Sequence, residues 1–93
     1  MATGSATLDF GSTPTDEALV TVSGLSGLSV GSFMEAYIQA SDSTLQNTTD
    51  DHRALAFSGK FSCEYVSASS FNIHCDLTIG LMTGQYTIRY VTA

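Results

Sequence analysis

The chain contains two cysteines, Cys63 and Cys75, whose side chains could form a disulfide, a metal site or a redox pair. Both fall on the apolar side of an alternating pattern, which predicts strands whose cysteines face a core. If these strands form a hairpin with Cys63 opposite Cys75, the Cβ atoms are close enough for a disulfide. Reduced core thiols are the alternative, because free cysteine is often buried and a cytoplasm disfavours disulfides. The spacing matches no zinc pattern, so we predict no metal site.

A second chemical candidate is the segment TDDHR, in which Asp50 and Asp51 precede His52. An Asp–His pair can hold a general base and carboxylates bind hard cations, so a metal-assisted hydrolase is one hypothesis. The favoured interpretation is a polar loop that leads into a strand. The G-x-S-x-G nucleophile motif is missing from the sequence. We therefore predict that the protein is not an enzyme and that it has no catalytic residue and no cofactor.

Apolar residues set among small ones form a candidate contact surface. The segment SGLSGLSVGS carries Leu25 and Leu28, and Phe33 and Tyr37 follow it. The leucines fit either a long turn that tucks under a sheet or an apolar contact with a neighbouring subunit. Aromatic residues often dominate the energy of such contacts. Leu25, Leu28, Phe33 and Tyr37 are therefore the predicted interface residues.

The elements that must position these residues are strands, because period-two alternation recurs along the chain and no window has a helical period. Strands are predicted at residues 6–11, 17–24, 32–41, 53–66, 71–79 and 85–93. The polar segment at residues 41–52 is predicted to be an exposed loop. Spacing typical of βαβ units does not occur. We predict one all-β domain over residues 1–93, either an antiparallel β-sandwich (jelly-roll or Ig-like) or a small barrel, with six to eight strands.

Charge is sparse and mostly negative, with 9 Asp and Glu residues against 3 Lys and Arg and a formal net charge of −6. No basic patch is available to neutralise phosphates, so we predict no binding to nucleic acid. No stretch approaches the ~20 apolar residues of a membrane span, and the first residues lack the pattern of a secretory signal. We expect synthesis in a cytoplasm and no membrane partner. The 25 Ser and Thr residues predict a hydroxyl-rich surface, which suits extracellular or virion surfaces.

Several ordered segments together resemble a group of small bacteriophage virion proteins. They are TLDFG, the strand VTVSG, the strand MEAYI, the entry DDH, the strand FNIH and the closing YTIRYV. The resemblance spans nearly the whole chain. The positions that match are Asp9, Phe10, Gly11, Glu35, Ala36, Asp51, His52, Phe71, Ile73, Gly84, Tyr86 and Tyr90. The chain departs from the group in having Tyr37 and Tyr90 where tryptophan is frequent, Ser70 where glycine is frequent, and two cysteines.

The resemblance implies a non-enzymatic structural protein located in a virion. As a capsid decoration, neck, tail or fibre component, such a protein would associate with its own copies (a homo-oligomer), with a larger virion protein, or with both. The cysteines could then act as a staple in a particle that leaves the reducing cell. The alternative is a module that recognises a host surface or glycan through residues 41–52 and exposed tyrosines, because aromatic rings can stack on sugars.

Overall fold

The computed structural model describes residues 2–93, which form six strands and one helix. The elements in chain order are β1 (Ala2–Asp9), β2 (Glu17–Val22), β3 (Met34–Tyr37), α1 (Thr49–Ser58), β4 (Gly59–Ser67), β5 (Ser70–Leu77) and β6 (Gln85–Thr92). The first sheet has the strand order β1-β6-β3 and the second has the order β2-β5-β4. All strand pairs are antiparallel. The two sheets pack together as a small all-β sandwich, which confirms the predicted fold class.

The core lies between the two sheets and follows the predicted alternation. In β6, Tyr86, Ile88 and Tyr90 are buried, whereas the residues between them are only partly covered. In β5, Phe71 and Ile73 are fully buried in the same way. Successive side chains of a strand point to opposite faces, so one apolar row per strand is enough to build this core.

The segment at residues 49–58 corrects two predictions, since it is helix α1 and not the end of a loop followed by a strand. Thr48 is the N-cap: its hydroxyl accepts a hydrogen bond from the Asp51 N–H, and the Asp51 carboxylate accepts one from the Thr48 N–H. This reciprocal capping box satisfies backbone donors that a helix start leaves free. His52 and Leu55, three residues apart, then face the core together. The strand prediction is correct only from Gly59 onward.

Gly59 allows α1 to pass directly into β4 in a crowded place. A Cβ atom at this position would lie 2.8 Å from the Leu55 carbonyl oxygen and 3.1 Å from the Cys75 sulfur. The backbone of Gly59 is extended, with φ −88°, so its role is to leave room and not to supply an unusual backbone angle.

The hairpin register of β4 and β5 differs from the predicted one. Cys63 lies opposite Ile73, and Cys75 lies opposite Phe61. The reason is at the turn, where Ser67 pairs with Ser70 and the register shifts between Tyr65 and Ser67. The two-residue turn and this irregularity together place the partner of Cys63 two positions away from Cys75, the partner in the predicted register. Both cysteines stay on the inner face, but they are diagonal neighbours and not partners.

The strands run between two ends of the sandwich, and different segments of the chain cover each end. At one end, the Leu25 N–H donates to the Ser69 carbonyl at 3.0 Å, and Phe33 and Ala93 exchange backbone hydrogen bonds. We call this the loop end, because residues 23–33 cover it. At the other end, the Thr78 N–H donates to the Ser58 carbonyl at 2.8 Å, which joins α1 to the loop at residues 78–84. We call this the helix end.

Candidate interaction surfaces

The acidic segment before His52 lies in the first turn of helix α1 and takes part in its N-terminal cap. Asp51 is engaged in the capping box, and Asp50 lies 3.5 Å from Arg53 in an exposed ion pair. Within residues 2–93, no group of three or more His, Cys, Asp and Glu side chains is arranged to hold a metal ion. The observed contacts of this segment stabilise the start of α1, where negative charge is favourable.

His52 is fully buried, and both nitrogens of its ring have partners. Nδ1 lies 2.9 Å from the Thr48 carbonyl oxygen, which can only accept, so Nδ1 donates. Nε2 accepts a hydrogen bond of 3.0 Å from the Thr87 N–H. The ring also packs on Tyr86 with 5.0 Å between ring centroids. These contacts identify His52 as the residue that joins α1 to β6, and they require the neutral imidazole with its proton on Nδ1.

This contact is one of several between side chains and the backbone of β6, and the sequence analysis did not predict them. β3 pairs with β6 only from Arg89 to Thr92, so the rest of that β6 edge has no strand beside it. Side chains take the place of the strand. The Gln85 N–H donates to Gln46 at 2.7 Å, and the Gln85 carbonyl accepts from Thr44 at 2.8 Å and from Asn47 at 2.9 Å. Residues 44–52 therefore satisfy backbone groups that would otherwise be unpaired.

The two cysteines are free thiols. Diagonal neighbours in a hairpin have Cα atoms about 7–8 Å apart, whereas a disulfide requires about 4.4–6.8 Å. The predicted disulfide is therefore not formed, and the alternative of reduced core thiols describes the structure. Burial, followed by the Asp76 carboxylate, raises the pKa of Cys75 to about 11. Burial and then Glu35 also raise the pKa of Cys63.

The four predicted interface residues separate into two groups. Leu28 is buried in the core and Leu25 is half-buried against it. Leu28 is therefore a core residue, and only part of the Leu25 side chain is accessible to another molecule. Phe33 and Tyr37 point outward from the first sheet and are 54% and 44% exposed. Of the predicted set, only these two aromatic residues offer a large surface to another molecule.

Large apolar side chains are exposed at both ends of the sandwich. At the helix end, Phe57 is 87% exposed, and Ile79 and Leu81 follow Thr78, which contacts Ser58. We call Phe57, Ile79 and Leu81 the helix-end surface. At the loop end, Val30 is 81% exposed and lies three residues before Phe33. Exposed apolar side chains of this size are typical of contact surfaces when they cluster.

The outer face of the first sheet carries a polar recess around Tyr37. Ser5, Arg89 and Tyr37 lie side by side on β1, β6 and β3. Asp42 lies over Arg89 and accepts two hydrogen bonds, 2.6 Å from Nε and 2.9 Å from Nη2. These hydrogen bonds and the positive charge of Arg89 lower the pKa of Asp42. The same hydrogen bonds and the negative charge of Asp42 raise the pKa of Arg89. We call this recess the Tyr37 recess; its lining residues are Thr3, Gly4, Ser5, Tyr37, Asp42, Thr87 and Arg89.

The outer face of the second sheet carries a continuous chain of polar side chains. Thr21 donates to Asn72 at 2.6 Å, Asn72 donates to Glu64 at 3.2 Å, and His74 lies 2.8 Å from the same Glu64 carboxylate. The hydrogen bonds from His74 and then Asn72 lower the pKa of Glu64. Each group in this chain already has a partner across the strands, so the chain stabilises the sheet.

Comparison of the chain with protein-family models, with curated proteins and with solved structures gave no match. Among residues 2–93, no helix has the length and apolar character needed to cross a membrane.

Proposed function

We propose that this chain is a non-enzymatic structural component of a bacteriophage virion that associates with its own copies, with a larger virion protein, or with both. The observation that carries the proposal is the exposure of Phe57, Ile79 and Leu81 together at one end of a well-packed sandwich. The resemblance of its ordered strand segments to small phage virion proteins supports the location in a particle. Capsid decoration, neck, tail and fibre positions all suit this description.

The energetic reason for association is the apolar area that a partner would remove from water. Ile79 and Leu81 are 67% and 63% exposed, and Phe57 is more exposed still. Complete burial of one such side chain is worth about 1.5–3 kcal/mol. Part of this gain offsets the loss of freedom on binding, so a single contact is weak. Symmetric copies in a particle strengthen weak contacts, because each bound copy raises the effective concentration of the next contact.

The proposed place of the chain in a virion is tested by mass spectrometry and immunogold labelling of purified particles of the virus that encodes the chain. The expected result is a fixed number of copies per particle, with labels at one position on the particle. A non-structural protein of the same virus serves as the control for contamination. Detection of the chain in infected cells but not in purified particles would contradict the proposal.

The association is tested by analytical ultracentrifugation of the Phe57→Ser, Ile79→Ser double variant beside the wild type. We expect the variant to remain folded by circular dichroism. Its association constant should fall at least about tenfold, a loss of about 1.4 kcal/mol in binding free energy. Leu19→Ser is the matched control, because Leu19 is an exposed leucine on the outer face of the second sheet. Equal association of all three proteins would show that the helix-end surface is not the contact.

A module that recognises a host surface or glycan is the second candidate function. The observation that favours it is the position of the exposed Tyr37 ring beside Asp42, which belongs to the loop before α1. A tyrosine ring next to groups that donate and accept hydrogen bonds is an arrangement that suits a ligand with both apolar and polar sides.

A further inference from the structure

The Tyr37 recess combines hydrogen-bonding groups from three strands and one loop. Ser5, Arg89 and Tyr37 face outward at one level of the first sheet, and neighbouring strands are about 4.8 Å apart, so the row is about 10 Å wide. Asp42 closes one side of this row through its contacts with Arg89. The concave space over the row has a volume of about 410 Å³ and is open to solvent. A ligand lying flat on the sheet would meet all four residues.

The ion pair in the recess retains unused hydrogen-bonding capacity. Arg89 has five N–H donors, of which two are used by Asp42. The Asp42 carboxylate has about four acceptor positions and likewise uses two with Arg89. Thr3 and Thr87 add hydroxyl groups, each of which donates and accepts. The recess therefore presents donors and acceptors side by side, which is the pattern that adjacent hydroxyl groups of a ligand require.

The charges around the recess favour a neutral ligand. The positive charge of Arg89 is matched by Asp42 at hydrogen-bond distance, so the guanidinium offers little net attraction to an anion. Glu35 adds a further negative charge on the same outer face, two residues from Tyr37 on β3. A phosphate or an acidic sugar would be repelled by this carboxylate. The ligand must bind through hydrogen bonds and not through net charge.

Tyr37 supplies the apolar part of the recess. The face of an aromatic ring carries partial negative charge and packs well against C–H groups that carry partial positive charge. A sugar ring has one face of such C–H groups and a rim of hydroxyl groups. Stacking on Tyr37 would therefore direct the hydroxyl rim towards Arg89, which lies opposite Tyr37 on β6, and towards Asp42, which is hydrogen-bonded to Arg89.

We propose that the Tyr37 recess binds a neutral saccharide, with the sugar ring on Tyr37 and its hydroxyl groups on Asp42 and Arg89. This inference deepens the second candidate function and rests on it, whereas association through the helix-end surface is independent of it. The recess lies on the face of the first sheet and the helix-end surface lies at the end of the sandwich. The two can therefore operate in the same molecule.

The test is an NMR titration of the full chain with lactose, cellobiose and chitobiose, each raised to about 10 mM, with sialyllactose as the charged comparison. We expect at least one neutral sugar to bind with Kd about 1 mM and to shift the amide signals of Tyr37, Asp42 and Arg89. Tyr37→Ala should weaken binding at least about tenfold, and Tyr37→Phe should stay within about threefold, because the ring face is retained. Arg89→Lys should weaken binding, because lysine cannot form the planar fork.

Three results would overturn the inference. They are the lack of any shift with all three neutral sugars, shifts confined to residues outside the recess, and tighter binding of sialyllactose than of lactose. Leu19→Ala on the second sheet is the control and should bind like the wild type. The Phe57→Ser, Ile79→Ser variant should also bind sugar like the wild type. Loss of sugar binding without loss of association would leave the structural function standing, and the reverse result would leave the saccharide site standing.

Discussion

His52 Nε2 accepts a hydrogen bond of 3.0 Å from the Thr87 N–H, which ties helix α1 to strand β6 where β3 no longer covers that edge. The same ring donates from Nδ1 to the Thr48 carbonyl. One buried side chain thus contacts both the N-cap residue of α1 and the uncovered edge of β6. This geometry gives a structural reason for a histidine directly after the aspartates in the first turn of α1.

Replacement of His52 by Ala should destabilise the protein by about 2–4 kcal/mol. The change leaves the Thr87 N–H without its partner and opens a cavity beside Tyr86. The His52→Gln variant should lose less stability, because the oxygen of the glutamine side chain can still accept a hydrogen bond. Urea unfolding followed by circular dichroism measures both variants. A loss of less than about 0.5 kcal/mol for His52→Ala would contradict the bridging role.

Gly59→Ala should destabilise the protein by about 1–3 kcal/mol, because the new Cβ atom has no space. It would lie 2.8 Å from the Leu55 carbonyl oxygen, a backbone atom that cannot move aside easily. Gly31→Ala is the matched control, since a Cβ atom at Gly31 meets nothing within 4 Å. Thermal unfolding of the two variants compares them directly. Equal midpoints would show that the junction of α1 and β4 is looser than the structure indicates.

The two thiols should react slowly in the native protein. The thiolate is the reactive form, and the raised pKa of Cys75, about 11, leaves about one thiol in a thousand ionised at pH 8. A thiol reagent should therefore label Cys75 far more slowly in the native state than in urea, with Cys63→Ser used to isolate its signal. Denaturing gels without reductant should show no crosslinked form. Fast native labelling of Cys75 would contradict its burial.

The same thiols make stability sensitive to high pH. Their pKa values are raised in the folded state, so their contribution is fully present below the unfolded thiol pKa of about 8.5. It is lost as the pH rises from there towards 11, because the unfolded state releases these protons first. The loss between pH 8.5 and 11 should be smaller in the Cys75→Ala variant. Urea midpoints across this range test the expectation, and equal slopes for both proteins would contradict it.

Asp42 should make stability sensitive to acid. The hydrogen bonds and positive charge of Arg89 lower the pKa of Asp42 in the folded state. Its contribution is therefore present above the unfolded pKa of about 3.9 and is lost as the pH falls through the lower folded value. Asp42→Asn should flatten the acid side of a plot of thermal midpoint against pH. An Asp42→Asn profile identical to that of the wild type would contradict this role.

Some parts of the candidate sites could be predicted from the sequence and others could not. Alternation through residues 33–37 predicts that Phe33 and Tyr37 share the face opposite Met34 and Ala36, and both are exposed in the structure. The pairing of Asp42 with Arg89 could not be predicted, because 47 residues separate them. The N-cap at Thr48 has a local signal, a threonine followed three residues later by an aspartate, but the apolar alternation after Arg53 predicts a strand over the same residues. Exposure of Phe57 is a consequence of that helix.

The sequence by itself determined the all-β class, the inward rows such as Tyr86, Ile88 and Tyr90, and the acidic, hydroxyl-rich surface. Only the tertiary structure decided the hairpin register, the helix and the partners of His52. The physical reason is that alternation specifies which face of a strand is buried and not which residue lies opposite. A shift of two residues keeps every side chain on its face, so Cys63 faces the core opposite Ile73 just as it would opposite Cys75.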